Sequence, residues 1–332
     1  MTETAERALK LRRRNFFKLA AGAAAAPLLP YFARAFDYPS RPIHLIVGFA
    51  GGSGLDITAR LIGQAMSDSL GQAVVIENRP GAATNIATEA VVNAPPDGYT
   101  ILMVSTAAYT NGALYPHLNF DFIRDIAPVA SATRGGCGLL VNPAFPAKTI
   151  PEFVANAKNK PGKITVGAIG TGTVTHVAAE MFQIMTGIET THVAYRGEPE
   201  ALTDLMAGNV QASMITLIGA AELIKDGKLH ALGVTTARRS EILPDIPAIG
   251  EFVPGYEANL WNGIGAPRTP PEIIDKLNAA INAGLNDPKM KAQFAELGTV
   301  TVPTTPAEYG KLIVSETDRW ARVIRAANIK VD

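Results

Sequence analysis

The order of apolar runs and amphipathic segments constrains the fold of this chain most. Between residues 43 and 104, three short apolar runs alternate with two segments whose apolar residues have helical spacing. The same order of strand, helix, strand, helix and strand returns over residues 164–215, and a further helix and strand extend it to residue 234. Strands that alternate with helices in this way usually pair in parallel, with helices on both faces of the sheet. The sequence therefore predicts an α/β protein with two similar lobes.

The C-terminal third has a different pattern. Residues 272–285, 288–297 and 306–327 are predicted to be helices, and we expect no strand between them. Because these helices need a sheet to pack on, we expect the chain to return to the first lobe. It would then pass between the lobes twice, near Cys137 and near Trp261, and two crossing strands form a hinge.

The two crossings set the predicted limits of the lobes. Residues 36–136 and 259–332 would form lobe 1, and residues 137–258 would form lobe 2. Each lobe would have a mostly parallel sheet flanked by helices.

The first 35 residues have the pattern of an export signal. Five basic residues lie within the first 14 positions, an apolar run follows over residues 19–29, and a small-residue pattern ends at Ala35. This order is typical of a secretory signal, and the apolar run is shorter than the roughly 20 residues that span a bilayer. An amphipathic N-terminal helix is the alternative. We expect cleavage after Ala35 and a mature chain in the periplasm.

The export route has two possibilities. The segment from Arg13 to Lys18 resembles the twin-arginine signal, which implies transport in a folded state. Signals of the general secretory route also carry arginines.

Charge and composition exclude several classes of protein. Residues 1–35 hold seven of the 30 basic and two of the 30 acidic residues, which leaves 23 basic and 28 acidic residues and a net charge of −5. A weakly acidic chain argues against a nucleic-acid partner. The five histidines have no metal-ligand spacing, so we expect no metal and no cofactor. A single cysteine, Cys137, allows no intrachain disulfide.

A glycine-rich turn follows the first strand of each predicted lobe and begins a helix. The first turn runs from Phe49 to Asp56, and the second runs from Ile169 to Thr175. Glycine lets a ligand approach backbone N–H groups, and the helix N-terminus behind it supplies unpaired donors and partial positive charge. Two such loops across a cleft would hold a small anion without a fixed arginine. Turns of this kind also serve only to reverse the chain, and neither one is a phosphate or dinucleotide loop.

Side chains in these turns have more than one possible role. Asp56 can cap its helix, or it can fix the turn or a bridging water, and the two roles are compatible. The hydroxyls of Ser53 and Thr173 can donate to a carboxylate. Thr175 has the pattern of an N-cap, and His176 has that of a structural histidine.

Two arginines have the same pair of possible roles. Arg196 follows a predicted strand of lobe 2, and Arg134 lies beside the first crossing. Each could attract anions to the mouth of the cleft, or could simply be solvated.

Several motifs, in order along the chain, resemble the substrate-binding receptors of tripartite tricarboxylate transporters, also called the Bug family. The motifs include residues 38–43, 49–56, 77–82, 96–100, 113–115, 160–163, 172–176, 193–197 and 243–247. The resemblance covers essentially the whole mature chain. It implies a type II-like periplasmic-binding-protein fold that closes around a small carboxylate and delivers it to membrane transporter subunits. It also implies a monomeric binding protein and no enzyme activity.

The resemblance also implies where the ligand would bind. One ligand carboxylate would lie against the first loop, held by backbone groups and ordered water, and the second loop would take the other end. With the patterns above, the predicted ligand-binding residues are Phe49, Ala50, Gly52, Ser53, Asp56, Thr106, Ile169, Gly170, Thr171, Gly172, Thr173 and Tyr195.

The chain departs from the family pattern in both loops. Gly48 and Gly51 replace prolines of the first loop, which should make it more flexible. Ala168 and Ile169 replace serines before the second loop, which removes two hydroxyl donors. We therefore expect a less polar pocket, better suited to an aromatic or aliphatic monocarboxylate than to citrate.

Two other functions compete with this interpretation. An exported hydrolase of small esters or amides needs a nucleophile, but Leu55 breaks the Gly-x-Ser-x-Gly pattern around Ser53. Cys137 lies in Gly-Gly-Cys-Gly with no histidine near it in sequence. A receptor that reports to a membrane sensor has the same sequence pattern as a transport receptor.

Overall fold

The computed structural model describes residues 38–330, so the predicted export signal lies outside the described residues. The main compact unit of the chain begins at Arg41.

Strands and helices alternate through most of the described chain. The strands are β1 (Ile43–Val47), β2 (Val74–Asn78), β3 (Thr100–Val104), β4 (Ile126–Val141), β5 (Thr165–Ile169), β6 (Thr191–Tyr195), β7 (Ala212–Thr216), β8 (His230–Val234), β9 (Asn259–Pro267) and β10 (Thr299–Thr301). The helices are α1 (Gly54–Leu70), α2 (Asn85–Val92), α3 (Thr106–Leu114), α4 (Phe122–Asp125), α5 (Ile150–Asn159), α6 (Val174–Thr186), α7 (Glu198–Ala207), α8 (Leu217–Lys225), α9 (Pro271–Asn286), α10 (Pro288–Glu296) and α11 (Pro306–Ala327).

Local sequence explains where the long helices begin and end. Ser53 caps α1 by accepting a hydrogen bond from the Asp56 N–H, and Gly71 ends the helix with a φ of 68°. Thr305 and Glu308 form a capping box at the start of α11. The buried side of α11 carries Tyr309 and Trp320, and helical spacing places both side chains against the core.

The strands form one continuous mixed sheet in the order β2-β1-β3-β9-β4-β7-β5-β6, with β8 and β10 also paired to β4. Strand β1 is parallel to β2 and β3, and β5 is parallel to β6 and β7. Strand β9 is antiparallel to β3 and β4, and β4 is antiparallel to β7, β8 and β10. The predicted α/β fold with parallel strand triplets is therefore confirmed.

Strand β4 joins two groups of strands. Up to Gly136 it pairs with β9 and β10, and from Cys137 onward it pairs with β7 and β8. The first strand group comprises β1, β2, β3, β9, β10 and the start of β4. The second strand group comprises β5 to β8 and the end of β4.

The chain returns to the first strand group beside this crossing. The Thr235 N–H donates to the Cys137 carbonyl at 2.8 Å, and the Ala258 N–H donates to the Thr235 carbonyl at 2.8 Å. The return therefore occurs through residues 235–258, before β9 begins. The crossings between lobes expected near Cys137 and near Trp261 remain predictions, and residues 235–258 are not themselves a strand.

The expectation that no strand separates the C-terminal helices is wrong. Strand β10 lies between α10 and α11 and pairs with residues 133–135 of β4. A strand of three residues has too few positions to show an alternating pattern, and it forms because β4 offers a free edge. Helix α9 packs on α1 and β4, and α11 packs on α3 and β4, so the helices do return to the first strand group.

Within residues 38–330, no helix is both long enough and apolar enough to cross a membrane.

Candidate ligand-binding site

A cavity of about 40 Å³ lies between the two strand groups, and we call it the central cavity. Its lining residues come from the ends of strands and the starts of helices in both groups. They are Phe49, Ser53, Gly54, Leu55, Ser105, Thr106, Ala107, Ile169, Thr173, Val174, Thr175, Glu198, Thr216, Leu260 and Asn262. The two predicted glycine-rich loops thus meet at one buried space.

Four helices begin at the wall of the central cavity. Their N-cap residues are Ser53 for α1, Ser105 for α3, Thr173 for α6 and Thr216 for α8. Each helix N-terminus has N–H groups without helical partners and about half a positive charge. Among the described residues that line the cavity there is no lysine or arginine. The positive potential here therefore comes from backbone dipoles, and such a site favours an anion.

Asp56 holds the first glycine-rich loop in place. Its carboxylate accepts hydrogen bonds from the Gly52 N–H at 2.9 Å, the Asn78 amide at 2.9 Å and the Arg60 guanidinium at 2.8 Å. The Asn78 amide also donates to the Phe49 carbonyl at 3.0 Å. Since Ser53 is the N-cap, the capping role considered for Asp56 is wrong, and Asp56 fixes the loop instead.

The environment of Asp56 favours its charged form. Burial raises the pKa of this carboxyl, but the hydrogen bonds from Arg60, Gly52 and Asn78 outweigh burial and hold the pKa below its ordinary value. A carboxylate that must stay ionised to hold three donors gives the loop a fixed shape.

Hydroxyl groups and a histidine hold the second loop. The Ile169 N–H donates to Thr175 Oγ1 at 2.9 Å, and the Thr173 hydroxyl donates to the Ile169 carbonyl. The Gly172 N–H donates to His176 Nδ1 at 3.0 Å, so His176 has a structural role, as one of the sequence readings had it. Thr173, not Thr175, is the N-cap of α6.

The two loops also connect the strand groups. The Thr110 hydroxyl of α3 donates to the Gly172 carbonyl at 2.6 Å. Phe49 packs against the apolar cluster of the second group, which includes Leu140 and Ile169. The structure therefore has the two groups closed on one another.

Glu198 is the charged residue of the central cavity. Its Oε2 accepts from the Gly54 N–H at 3.1 Å, and its Oε1 accepts from the Thr216 hydroxyl at 2.6 Å and the Thr216 N–H at 3.3 Å. Burial raises the pKa of Glu198 in spite of these three donors.

Two polar atoms at the cavity have no partner within the described chain. They are the Ser105 hydroxyl oxygen and Asn262 Oδ1, both buried. An unpaired buried polar group costs free energy, so each favours a hydrogen-bonding guest in the cavity.

The predicted site residues divide into two sets. The first set lines the central cavity and comprises Phe49, Ser53, Thr106, Ile169 and Thr173.

The remaining seven shape the loops or lie beside them, and do not line the cavity. Six of them belong to the two loops: Ala50, Gly52, Asp56, Gly170, Thr171 and Gly172. Tyr195 ends β6, and its hydroxyl donates to Asp204 Oδ2 at 2.8 Å. Burial and this neighbouring carboxylate raise the pKa of Tyr195 to about 12.

Sequence reasoning missed five lining residues that supply helix caps, polar groups or apolar surface to the cavity. They are Ser105, Glu198, Thr216, Leu260 and Asn262. Thr216 is the last residue of β7 and Ser105 directly follows β3, and each precedes a helix, as Ser53 and Thr173 do after longer turns. That repeated position is a signal that could have identified them.

Cys137 and the two arginines considered for anion attraction do not line the central cavity. Cys137 is fully buried, and burial raises the pKa of its thiol, so it is not an activated nucleophile. The Arg134 guanidinium lies over the Trp261 ring at 5.6 Å, and Arg196 is exposed. The described part of the chain contains no group of three or more side chains placed to hold a metal ion.

The fold and the cavity define a class of protein: an α/β binding protein with a buried cavity between two groups of strands. The sequence matches the profile of the tripartite tricarboxylate transporter family receptor, TctC, over residues 58–329. The chain belongs to this family of solute receptors, whose role is binding and not catalysis.

Individual relatives agree with this membership. Protein BugT of Bordetella pertussis is 33% identical over 298 residues, which cover 89% of this chain and 91% of BugT. The structure of R. palustris Rpa4515 with adipate has a TM-score of 0.86 at 33% identity, and covers 88% of this chain and 99% of that one. MatC from Rhodopseudomonas palustris with bound malate has a TM-score of 0.82 at 30% identity, and covers 86% and 100%.

Proposed function

We propose that this protein is a periplasmic receptor that binds a small organic carboxylate in the central cavity and delivers it to a tripartite tricarboxylate-type transporter. The observation that carries the proposal is the convergence of four helix N-termini on one buried cavity. A carboxylate placed there would be stabilised by backbone dipoles and hydroxyl donors. The two relatives with adipate and malate support the same class of ligand.

Binding requires the two halves to separate. The central cavity measures about 40 Å³, far less than the roughly 300 Å³ at the lower end of ligand pockets. We propose that residues 36–136 with 259–332 form one lobe, that residues 137–258 form the other, and that the paired passages at Cys137 and Thr235 form the hinge between them. Opening at this hinge would break the contacts of Glu198 with Gly54 and of Thr110 with Gly172.

The lining of the cavity favours a ligand of low polarity. Phe49, Ile169 and Leu260 provide apolar surface, and no basic side chain from the described residues faces the cavity. We therefore propose that the ligand is an aliphatic or aromatic monocarboxylate in preference to citrate. We also propose that the protein binds it as a monomer.

A thermal-shift screen tests the proposed ligand class. The mature chain, from residue 36, is melted with a panel of aliphatic and aromatic monocarboxylates, dicarboxylates and citrate, with the matching amides as uncharged controls. A ligand at 100 times its dissociation constant adds about 2.7 kcal/mol to the free energy of unfolding. We expect stabilisation by at least one monocarboxylate and by no amide. Stabilisation by citrate alone would refute the monocarboxylate preference, and no response to any carboxylate would refute the binding function.

Export is proposed through residues 1–35, with cleavage after Ala35. Replacing Arg13 and Arg14 together with lysine should block export if the twin-arginine route is used, because that route reads the arginine pair. Cell fractionation measures the result. Retention of periplasmic protein in the double variant would assign export to the general secretory route.

A further inference from the structure

Glu198 connects the two halves of the molecule from inside the central cavity. It is the first residue of α7, yet its carboxyl group reaches the N-terminus of α1, 144 residues earlier in the chain. Gly54 there donates its N–H to Oε2 at 3.1 Å. Thr216, the N-cap of α8, donates through both its N–H and its hydroxyl to Oε1. A carboxylate of the protein itself therefore already lies between two of the four helix N-termini.

The surroundings of this carboxyl group are shaped to it. A Cβ atom added at Gly219 would lie 2.5 Å from Glu198 Oε2, and one added at Gly54 would lie 2.9 Å from Thr216 Oγ1. The two glycines thus leave the space that the carboxyl group fills. All three of its hydrogen-bond partners donate to the carboxyl oxygens, which favours the ionised form although burial raises the pKa, and at 5% exposure bulk water does not screen the charge.

The occupied position is one that a ligand carboxylate would otherwise take. The Gly54 N–H belongs to the loop that was expected to hold one ligand carboxylate through its backbone. Two carboxylates sharing one buried site repel each other, so a second one is disfavoured while Glu198 is present. The other helix N-termini remain open to a single anionic group, and the unpaired Ser105 hydroxyl lies at one of them.

We propose that Glu198 is a specificity-determining residue that takes the place of one ligand carboxylate at α1 and so restricts the receptor to monocarboxylates. This inference rests on the proposed function, namely that the central cavity binds carboxylates. The ligand carboxylate then lies at the N-termini of α3 and α6, and the rest of the ligand meets the apolar lining.

Matched pairs of acids test the proposal. Isothermal titration measures the binding of butyrate and succinate, of hexanoate and adipate, and of benzoate and terephthalate to the mature chain. Within each pair the acids differ by one carboxylate. We expect the wild-type chain to prefer the monocarboxylate of the pair that binds, by on the order of tenfold or more, since like charges in contact are strongly unfavourable.

Three variants separate charge from structure. E198Q keeps the shape of the side chain but removes its charge, and we expect it to reduce the preference for the monocarboxylate by about tenfold, the effect of one pKa unit of interaction. E198D keeps the charge and should keep the preference. E200Q changes an exposed glutamate of the same helix and should bind like the wild type. Circular dichroism and melting curves check that each variant is folded.

The outcomes are distinct. A wild-type chain that prefers the dicarboxylate, or an E198Q variant with an unchanged ratio, would overturn the role of Glu198 and leave the carboxylate receptor intact. If E198Q and E198D weaken the binding of both acids of a pair equally, Glu198 only stabilises the structure around the cavity, and the proposal is also wrong. A folded wild-type chain that binds none of these acids overturns the proposed function, and this inference with it.

Discussion

Single side chains, more than the backbone alone, hold the glycine-rich loops in a defined shape. In the first loop, Asp56 accepts from Gly52, Asn78 and Arg60. In the second loop, Thr173, Thr175 and His176 accept from or donate to loop backbone atoms. Glycine gives these loops access to positive φ, as at Gly52 with 80°, and the side chains then select one conformation.

Replacing Asp56 with asparagine should loosen the first loop. An asparagine has one fewer acceptor oxygen and no charge to pair with Arg60, so we expect a loss of about 1–3 kcal/mol in the free energy of unfolding. Urea unfolding at neutral pH measures the loss. D68N is the matched control, because Asp68 is an exposed residue of the same helix that accepts only from Gln64. Equal stability of D56N and D68N would show that the loop does not depend on Asp56.

The same pair of variants has a predicted pH dependence. The pKa of Asp56 is lowered in the folded chain, so its contribution to stability is present above its ordinary value of 3.8 and is lost as the pH falls through the folded value. The stability difference between wild type and D56N should therefore shrink in acid. A constant difference over that range would argue against the charged form as the source of the effect.

Sequence could place a residue at the cavity where local pattern determines its position. Ser53 and Thr173 were identified because each follows a strand and glycine and precedes a helix. Ser105 and Thr216 occupy the same kind of position without glycine before them, and they were missed. Glu198 could not be found from sequence, because its role depends on Gly54 and Thr216 in other parts of the chain.

Among the elements, α3 and the loop before α6 form a contact between the two strand groups. The Gly172 carbonyl accepts a hydrogen bond from the Thr110 hydroxyl. The backbone φ of Gly172 is 83°. A Cβ atom at Gly172 would lie 2.2 Å from Leu114 Cδ1. This glycine is therefore required both by backbone conformation and by the close approach of α3.

We expect G172A to weaken ligand binding and to lower stability by about 1–3 kcal/mol, the usual cost of strained backbone or overpacking. G187A is the matched control. Gly187 has a φ of 65° at the end of α6, and a Cβ atom there meets nothing within 4 Å. The G187A variant should therefore have the backbone strain but an unchanged ligand affinity. Titration calorimetry separates the two, and equal affinities of both variants would contradict a role for the α3 contact.

The elements that sequence predicted well are those with a regular pattern of their own. Helix α2 (Asn85–Val92) and strand β3 (Thr100–Val104) have the bounds that their sequence patterns predict. A crossing strand was expected near Cys137, but the extent of β4 was missed because Gly135, Gly136 and Gly138 interrupt its apolar pattern. It forms because β9 and β10 pair with its first part and β7 and β8 with its second, which are contacts between distant parts of the sequence.

For the whole molecule, we proposed the paired passages at Cys137 and Thr235 as the hinge between the halves. Opening there would also separate the other contacts between the halves, at the cavity and between α6 and α11. Small-angle X-ray scattering should therefore show a smaller radius of gyration when the chain is saturated with a ligand from the thermal-shift screen. An amide analogue that does not bind is the control. Identical scattering with and without ligand would mean that the halves do not move, and that the ligand enters by another route.

The single sulfhydryl of the chain lies at the point where this motion would occur. Cys137 is 0% exposed, and its backbone N–H and carbonyl are bonded to Thr235 of the returning passage. A thiol reagent can reach the sulfur only when these two passages unfold locally, not when the halves merely swing apart about them. Its reaction rate therefore reports how firmly the hinge itself is folded, and it should fall when a bound solute stabilises the folded chain.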